Sequence, residues 1–122
     1  MSTSILTGIK RVLGISEVDD SFDADVMMHV NSAFATLNQI GIGPPAGFMI
    51  EDEVPTWDDF LGTDPRLNSA KSYVYLKTRL LFDPPQNSFV TQSLEKQAEE
   101  FLWRLNVVRE GDSWTDPNVP AA

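Results

Sequence analysis

Residues 71–110 read KSYVYLKTRLLFDPPQNSFVTQSLEKQAEEFLWRLNVVRE, and this stretch decides the fold. Two segments with the apolar spacing of helices flank the breaker sequence FDPPQN at 82–87. The two adjacent prolines remove two backbone donors and push the preceding residue out of the helical region. The first helix is therefore predicted to end near Phe82 or Asp83. Neither helix carries a recognisable reaction centre, so the stretch is interpreted as scaffold.

The first of these helices is predicted to open with Asp64 as its cap and Pro65 at its first helical position, where the missing N–H is harmless. Its apolar residues form two neighbouring lines along the helix. These are Leu67, Ala70, Val74 and Leu81 on one line, and Tyr73, Leu76 and Leu80 on the other. An apolar face this broad predicts the central position in a bundle.

The second helix is predicted to run from about Ser88 to Glu110, with Asn87 or Ser88 as its cap. Its core-facing residues alternate at steps of four and three: Val90, Leu94, Ala98, Phe101, Leu105 and Val108. At ~1.5 Å per residue it would be roughly 33 Å long, close to the diameter of a small domain. Gly111 is expected to end this helix and to release residues 111–122 as a flexible C-terminal arm.

Two shorter patterns in the N-terminal part predict two more helices. Residues 4–13 carry a narrow apolar stripe that is closed by Gly14, as expected of a helix C-terminal cap. The next helix is expected to be capped by Asp20 or Ser21 and to end at Gly41. Its predicted core face is formed by Phe22, Val26, Val30, Ala33, Leu37 and Ile40.

Between these pairs of helices, residues 41–64 contain several glycines and prolines and predict a long irregular loop. The loop carries an exposed-looking apolar run at 48–50, followed by an acidic run at 51–53. Within it, Thr56 and Gly62 are placed to cap and end a single helical turn. Loops of this length are usually functional or mobile.

Together these patterns predict an all-α fold, a small helical bundle of about four helices with a long irregular mid-chain loop and an extended C-terminal tail. Residues 1–110 are expected to form a helical domain that includes the loop at 41–64, and residues 111–122 the arm. A chain of 122 residues suits one domain with a core of its own.

The chain is acidic, with a formal net charge of −9 and no cysteine. Residues 51–64 hold six acidic and no basic residues, whereas residues 65–110 hold seven basic and five acidic ones. An acid excess repels a phosphate backbone, which argues against sequence-specific DNA binding. The absence of cysteine suits a reducing compartment. No signal peptide or membrane-spanning segment is predicted.

Three patterns that suggest chemistry have simpler interpretations. Residues 41–47 are glycine-rich, but their spacing differs from a phosphate-binding loop and two prolines remove donors. Residues 19–25 resemble the start of a calcium loop, yet Ala24 and Val30 occupy positions that require glycine and glutamate. The single histidine, His29, is interpreted as a boundary residue of the core. No catalytic, cofactor-binding or metal-ligating residue is predicted, and no enzymatic activity is expected.

Two groups of residues are candidates for contact with other molecules. Five large apolar residues are predicted as partner contacts: Phe48, Met49, Ile50, Trp57 and Trp114. Five acidic residues are predicted to form a surface or lumen-facing patch: Glu51, Asp52, Glu53, Asp58 and Asp59. Trp114 lies in the arm, where it could anchor a partner or fold back on its own domain. Trp103 is expected at the edge of the core stripe of the last helix.

A set of short segments in a characteristic order resembles one protein family. The segments are IKRVLG at 9–14, NSAF at 31–34, LNQIGIG at 37–43, YVYLK at 73–77, FDPP at 82–85, SFV at 88–90 and WRLN at 103–106. Their order is similar to that in the head-to-tail connector (adaptor) proteins of long-tailed bacteriophages. The loop at 44–62 has its own sequence and lies outside the resemblance.

The resemblance implies a structural protein of the virion, made in the bacterial host cytoplasm and located at the head–tail interface. It implies a ring of about twelve subunits on the portal protein. In such a ring the same contact between neighbouring subunits repeats by rotation until the ring closes. Such a ring would extend the DNA channel and dock the next tail-completion or stopper protein, while genomic DNA passes through without specific binding. No cofactor and no membrane are implied.

One alternative is a small acidic binding module or inhibitor that mimics the charge of nucleic acid. The mixed charge of the longest helix and the irregular order of the acids argue against it. Stoichiometry separates the two, because a mimic would act as a monomer or dimer and a connector as a large ring.

Overall fold

The computed structural model describes residues 4–62 and 64–113, and this part of the chain is mostly helical. Its five α-helices are α1 (Ile5–Leu13), α2 (Asp23–Gln39), α3 (Trp57–Leu61), α4 (Ser69–Phe82) and α5 (Ser88–Ser113). A 3-10 helix, Pro65–Asn68, precedes α4. The described ranges contain no strand. Ser4 and Thr56 form a single isolated β-bridge. The predicted all-α bundle with a long mid-chain loop is confirmed.

Helix α4 is the central element, as its broad apolar face predicted. It packs against α2 and α5 and also touches α1, while α2 and α5 make few contacts with each other. Its buried residues are Ala70, Tyr73, Val74 and Thr78. Leu76 is only half-buried, and Leu81 at the end of the helix is exposed. The buried face is therefore narrower than the two predicted lines.

The termini of α1, and the break between α4 and α5, follow the prediction. Ser4 Oγ accepts the N–H of Thr7 at 3.3 Å, and Gly14 adopts the left-handed conformation at φ 77° that glycine tolerates. Helix α4 ends at Phe82. Asn87 Oδ1 then accepts the N–H of Phe89 at 2.8 Å, which caps α5.

The predicted cap of α2 is wrong. The helix begins at Asp23, with Phe22 in the cap position and no side chain capping it. The Asp19 carboxylate instead accepts the backbone N–H of Ser21 at 3.0 Å, so Asp19 and Ser21 form a turn that precedes the helix. The Ser21 hydroxyl also donates to Asp19, and this bond together with the backbone N–H holds the pKa of Asp19 below its usual value.

Two other helix boundaries also differ from the prediction. Asp64 and Pro65 open a 3-10 turn, in which Leu67 N–H donates to the Asp64 carbonyl at 3.1 Å, so the α-helix starts at Ser69. Helix α5 continues through Gly111 to Ser113, past the predicted start of the arm. Glycine lowers helix stability by about 1 kcal/mol but does not by itself end a helix.

The core is one cluster of buried apolar residues from all five helices and the loop. Helices α1 and α2 supply Ile5, Leu6, Ile9, Val26, Val30, Ala33, Phe34 and Leu37. The loop and α3 add Ile42, Ile50, Trp57 and Phe60, and α5 adds Ala98 and Leu105. Much of the mid-chain loop is therefore structural.

Candidate assembly surface

Two asparagines on α2 hold the first half of the mid-chain loop. Asn31 donates to the Ile50 carbonyl at 3.0 Å and accepts the Ile50 N–H at 2.8 Å, as a neighbouring strand would. Asn38 donates to the Pro44 carbonyl at 3.1 Å. The loop thus has fixed backbone partners where it passes α2, although its sequence is irregular.

The second half of the loop is held by α1 and by its own helical turn. Ser4 Oγ donates to the Glu53 carbonyl at 2.5 Å, and Ile5 N–H donates to the Pro55 carbonyl at 3.0 Å. Thr56 and Asp59 form a capping box at the start of α3, with hydrogen bonds of 3.3 and 2.8 Å. The predicted helical turn with its Thr56 cap is confirmed.

An aromatic cluster lies beneath the loop. Phe34 of α2 contacts Phe48, Trp57 and Phe60, with ring centroids 5.3, 6.4 and 4.5 Å apart. Gly43 approaches Phe60 so closely, at φ 90°, that a Cβ there would lie 2.4 Å from the ring. Aromatic pairs of this kind add stabilisation beyond the area they bury.

Trp57 is the centre of a second set of contacts that reaches α4. Its ring is edge-on to Tyr75, with centroids 5.6 Å apart, and the Lys71 ammonium lies 5.8 Å from its centroid. Burial raises the pKa of Tyr75 above its usual value. Trp57 is only 2% exposed, so its contacts with Tyr75 and Lys71 pack α3 against the central helix.

These positions change the interpretation of the predicted partner contacts. Ile50 and Trp57 are buried in the protein's own core, and Phe48 is half-buried against Phe34. The run at 48–50 is therefore not an exposed apolar strip as predicted. Met49 alone in this run is exposed, at 62%. Trp114 lies outside the described residues.

Met49 lies at the edge of a groove of about 570 Å³ between α2 and the loop. The groove is lined from α2 by Asn31, Ala35, Asn38 and Gln39, and from the loop by residues 46–49. All of these residues are uncharged, and residues 26–50 contain no Asp, Glu, Lys or Arg. In a chain this acidic, the groove is a distinct, neutral part of the surface.

The five predicted acidic residues are all exposed, as a surface patch requires. Two of them also bond the backbone: Asp52 accepts the Val54 N–H at 2.9 Å, and Asp59 belongs to the capping box. Residues 51–53 share a groove of about 430 Å³ with three further acids, Glu17, Asp20 and Asp23. The acidic surface is thus larger than the sequence pattern indicated.

Two cations at the end of α1 partly balance this surface. Lys10 is buried and pairs with Asp23 at 2.9 Å, while Arg11 pairs with Glu17 at 2.7 Å.

Within the described ranges, no group of three His, Cys, Asp or Glu residues is arranged to hold a metal ion. His29 packs edge-on to Phe82, with centroids 6.4 Å apart.

The outward face of α5 is a feature that the sequence analysis missed. Phe89 is 81% exposed and Trp103 is 66% exposed, and Val107 is also exposed. Trp103 therefore does not lie at the edge of the core stripe as predicted. The signal was present in the spacing, because Phe89 and Val107 are five helical turns apart and fall on the face opposite Ala98 and Leu105.

By fold and surface, the described part of the chain is a small all-α protein with an exposed acidic loop and with two exposed aromatic side chains, Phe89 and Trp103, on α5. A family model described as phage connector protein matches residues 5–112. The chain therefore belongs to the phage connector protein family, and it is a connector of the phage virion. No curated protein and no solved structure matches it. None of the described helices is long and apolar enough to cross a membrane.

Proposed function

We propose that this connector assembles as a ring on the portal of the DNA-filled head, extends the DNA channel and docks the next tail component. Family membership over residues 5–112 supports this role. The proposed partners are further copies of the chain, the portal protein and a tail-completion or stopper protein. The protein would be made in the host cytoplasm and act at the head–tail interface, without a catalytic step.

The observation that carries the channel role is the exposed acidic surface on a loop that is firmly held. Residues 51–53 are tied to α1 and α2 through the backbone of Ile50, Glu53 and Pro55. Their charge therefore has a fixed position on the subunit. A wall of fixed negative charge repels the DNA phosphates, so that DNA slides past without adhering.

The ring is tested by mixing the purified protein with its portal and measuring mass and shape. Electron microscopy and light scattering should show a closed ring on the portal, with many copies of the connector. A protein that stays a monomer or dimer with and without portal would contradict the proposal and favour the acidic binding module.

The channel role is tested by removing charge from the acidic loop. The variant E51Q/D52N/E53Q should still assemble on the portal, but DNA exit through the connector should slow, because the phosphates are no longer repelled. The control variant D25N/D83N/E95Q removes three exposed acids elsewhere and should behave as the unmodified protein. Normal DNA exit in the first variant would contradict a lumen position for residues 51–53.

A further inference from the structure

A groove runs between α2 and α5 on the surface of the bundle, with α4 as its floor. Both helices pack against α4, but they make few contacts with each other. The groove consists of two adjoining cavities of about 440 and 300 Å³, which share Glu99 and Leu102 of α5. Thr36 and Ile40 of α2 form the opposite wall, and Lys77 of α4 lies on the floor. We call this continuous surface the α2–α5 groove.

The dimensions of the α2–α5 groove suit a helix. Its α5 wall is formed by residues at steps of four, three and four along one helix face: Glu95, Glu99, Leu102 and Asn106. These residues span about 16 Å, or three turns. The groove closes near the end of α2, where the Arg109 side chain packs on Gly41. A helix seated between α2 and α5 would complete a four-helix bundle with α4.

The interior and both ends of the α2–α5 groove are apolar. Ala98 is buried in it, and Leu80 and Leu102 are half-buried. Leu81 at one end is 44% exposed, and Trp103 at the other end is 66% exposed. Apolar side chains spaced three and four residues apart on an incoming helix would cover these residues, as in other complexes in which a helix binds a groove.

The α5 rim of the α2–α5 groove is acidic. Glu95 and Glu99 are both exposed, and in the described part of the chain neither forms an ion pair, with Lys77 on the groove floor or with Lys96 on α5. Like charges four residues apart on a helix repel each other. Two glutamates and one lysine line the groove, which leaves an excess of negative charge. A cation placed between the two glutamates would remove their repulsion.

We propose that the α2–α5 groove binds an amphipathic helix of another protein, with Arg or Lys side chains placed against Glu95 and Glu99. The net charge of −9 also attracts a basic partner at long range. The apolar positions of the partner helix fill the groove, and its basic positions face the α5 rim. The inference concerns the single subunit and does not depend on the proposed ring.

Charge argues against a second copy of the chain as the occupant. Helix α2 has two acidic residues and no basic one, and α5 has five acidic and three basic residues. Helix α4 is enclosed between α2 and α5 of its own copy. Helix α1 is basic, but Lys10 and Arg11 are already paired with acids and its apolar face is buried in its own core. None of the described α-helices therefore offers a free basic face.

A designed peptide tests the chemistry of the groove. The probe is a synthetic amphipathic helix of about four turns, built from leucine, alanine and arginine, and its matched control has glutamate in place of arginine. Calorimetric titration should show that the arginine peptide binds the purified protein and that the glutamate peptide does not. Affinity for the arginine peptide should fall as salt is added, because exposed charges are screened.

Charge variants test whether the two glutamates make the contact. E95Q/E99Q should weaken binding of the arginine peptide by about three- to tenfold, the range expected for two exposed ion pairs. E51Q/E53Q removes the same net charge from the acidic loop and should leave the affinity nearly unchanged. K77M removes the cation from the groove floor and should strengthen binding. Equal weakening in E95Q/E99Q and E51Q/E53Q would show general charge attraction and overturn the inference.

A blocking variant tests the position of the peptide. T36W places a large ring in the α2–α5 groove and should abolish binding, whereas A35W, on the neighbouring face of α2, should retain it. Circular dichroism and melting temperature show whether both variants remain folded. E95Q/E99Q changes only exposed residues, so its result stands even if T36W unfolds. Binding that persists in a folded T36W would overturn the inference.

The remaining outcomes separate this inference from the proposed function. If the glutamate peptide binds as tightly as the arginine peptide, or if neither binds, the inference is overturned. Loss of self-association in E95Q/E99Q without peptide binding would make a second copy the occupant and would also overturn it. If the arginine peptide binds as expected to a chain that never forms a ring on the portal, the inference stands and the proposed function fails.

Discussion

The mid-chain loop is more buried, and helix α5 more exposed, than their sequences predicted. The loop, rich in glycine and proline, directs Ile50 and Trp57 into the core. Helix α5, with its regular apolar stripe, directs Phe89 and Trp103 into solvent. Breakers determine how regular the backbone is, but burial depends on which neighbours the fold brings near. An irregular segment can therefore be core, and a regular helix can leave large aromatic side chains exposed.

The two tryptophans give the strongest test of this contrast. Trp57→Ala should lower the free energy of unfolding by roughly 3–5 kcal/mol, because it leaves a cavity between α3 and α4. The matched change Trp103→Ala should alter it by less than about 0.5 kcal/mol, since that side chain is exposed. Urea unfolding measures both. Equal losses in the two variants would contradict the assignment of one to the core and the other to the surface.

The asparagine that holds the loop gives the next largest effect. Asn31→Ala leaves the Ile50 N–H and carbonyl without their partners and should cost roughly 1–3 kcal/mol. Hydrogen exchange at the Ile50 amide should become faster at the same time. Ser32→Ala is the control, because its hydroxyl bonds only the Met28 carbonyl in its own helix. Unchanged exchange at Ile50 in Asn31→Ala would argue that packing alone holds the loop.

The acidic surface should contribute little to stability, in contrast to the apolar layer beneath it. The variant E51Q/D52N/E53Q should change the free energy of unfolding by no more than about 0.5 kcal/mol, as exposed substitutions usually do. Its melting temperature, compared with that of the unmodified protein at low and at high salt, is the measurement. A large stabilisation at low salt would show that these charges repel each other more strongly than their exposure implies.

The smallest effect is expected at alkaline pH, where Tyr75, which packs against Trp57, loses its proton. Burial raises the pKa of Tyr75 above its usual value of 10.0, so the unfolded chain loses this proton first as the pH rises. Stability is then complete below about pH 10 and declines above it. Tyr75→Phe should make that decline shallower in unfolding curves taken between about pH 9 and pH 11. An identical decline in the variant would assign the effect to other groups.

Helix positions and the central place of α4 could be predicted from sequence, because periodicity, prolines and caps act locally. The break after Phe82 and the Thr56 cap are examples. The groove on α2 could not be predicted, since it exists only where Asn31 binds the Ile50 backbone across the chain. The extent of the acidic surface was missed for the same reason, because Glu17 joins residues 51–53 only in the folded structure.

The contrast between Trp57 and Trp103 also gives the protein two optical reporters. An indole enclosed by Phe34, Phe60 and Tyr75 should emit at short wavelength and resist quenching by iodide, whereas one in water should emit at longer wavelength and be quenched readily. In a Trp114→Phe background, the first signal would follow unfolding of the subunit. The second would shift toward the blue only when a binding partner covers Trp103, so folding and binding could be followed separately in one cuvette.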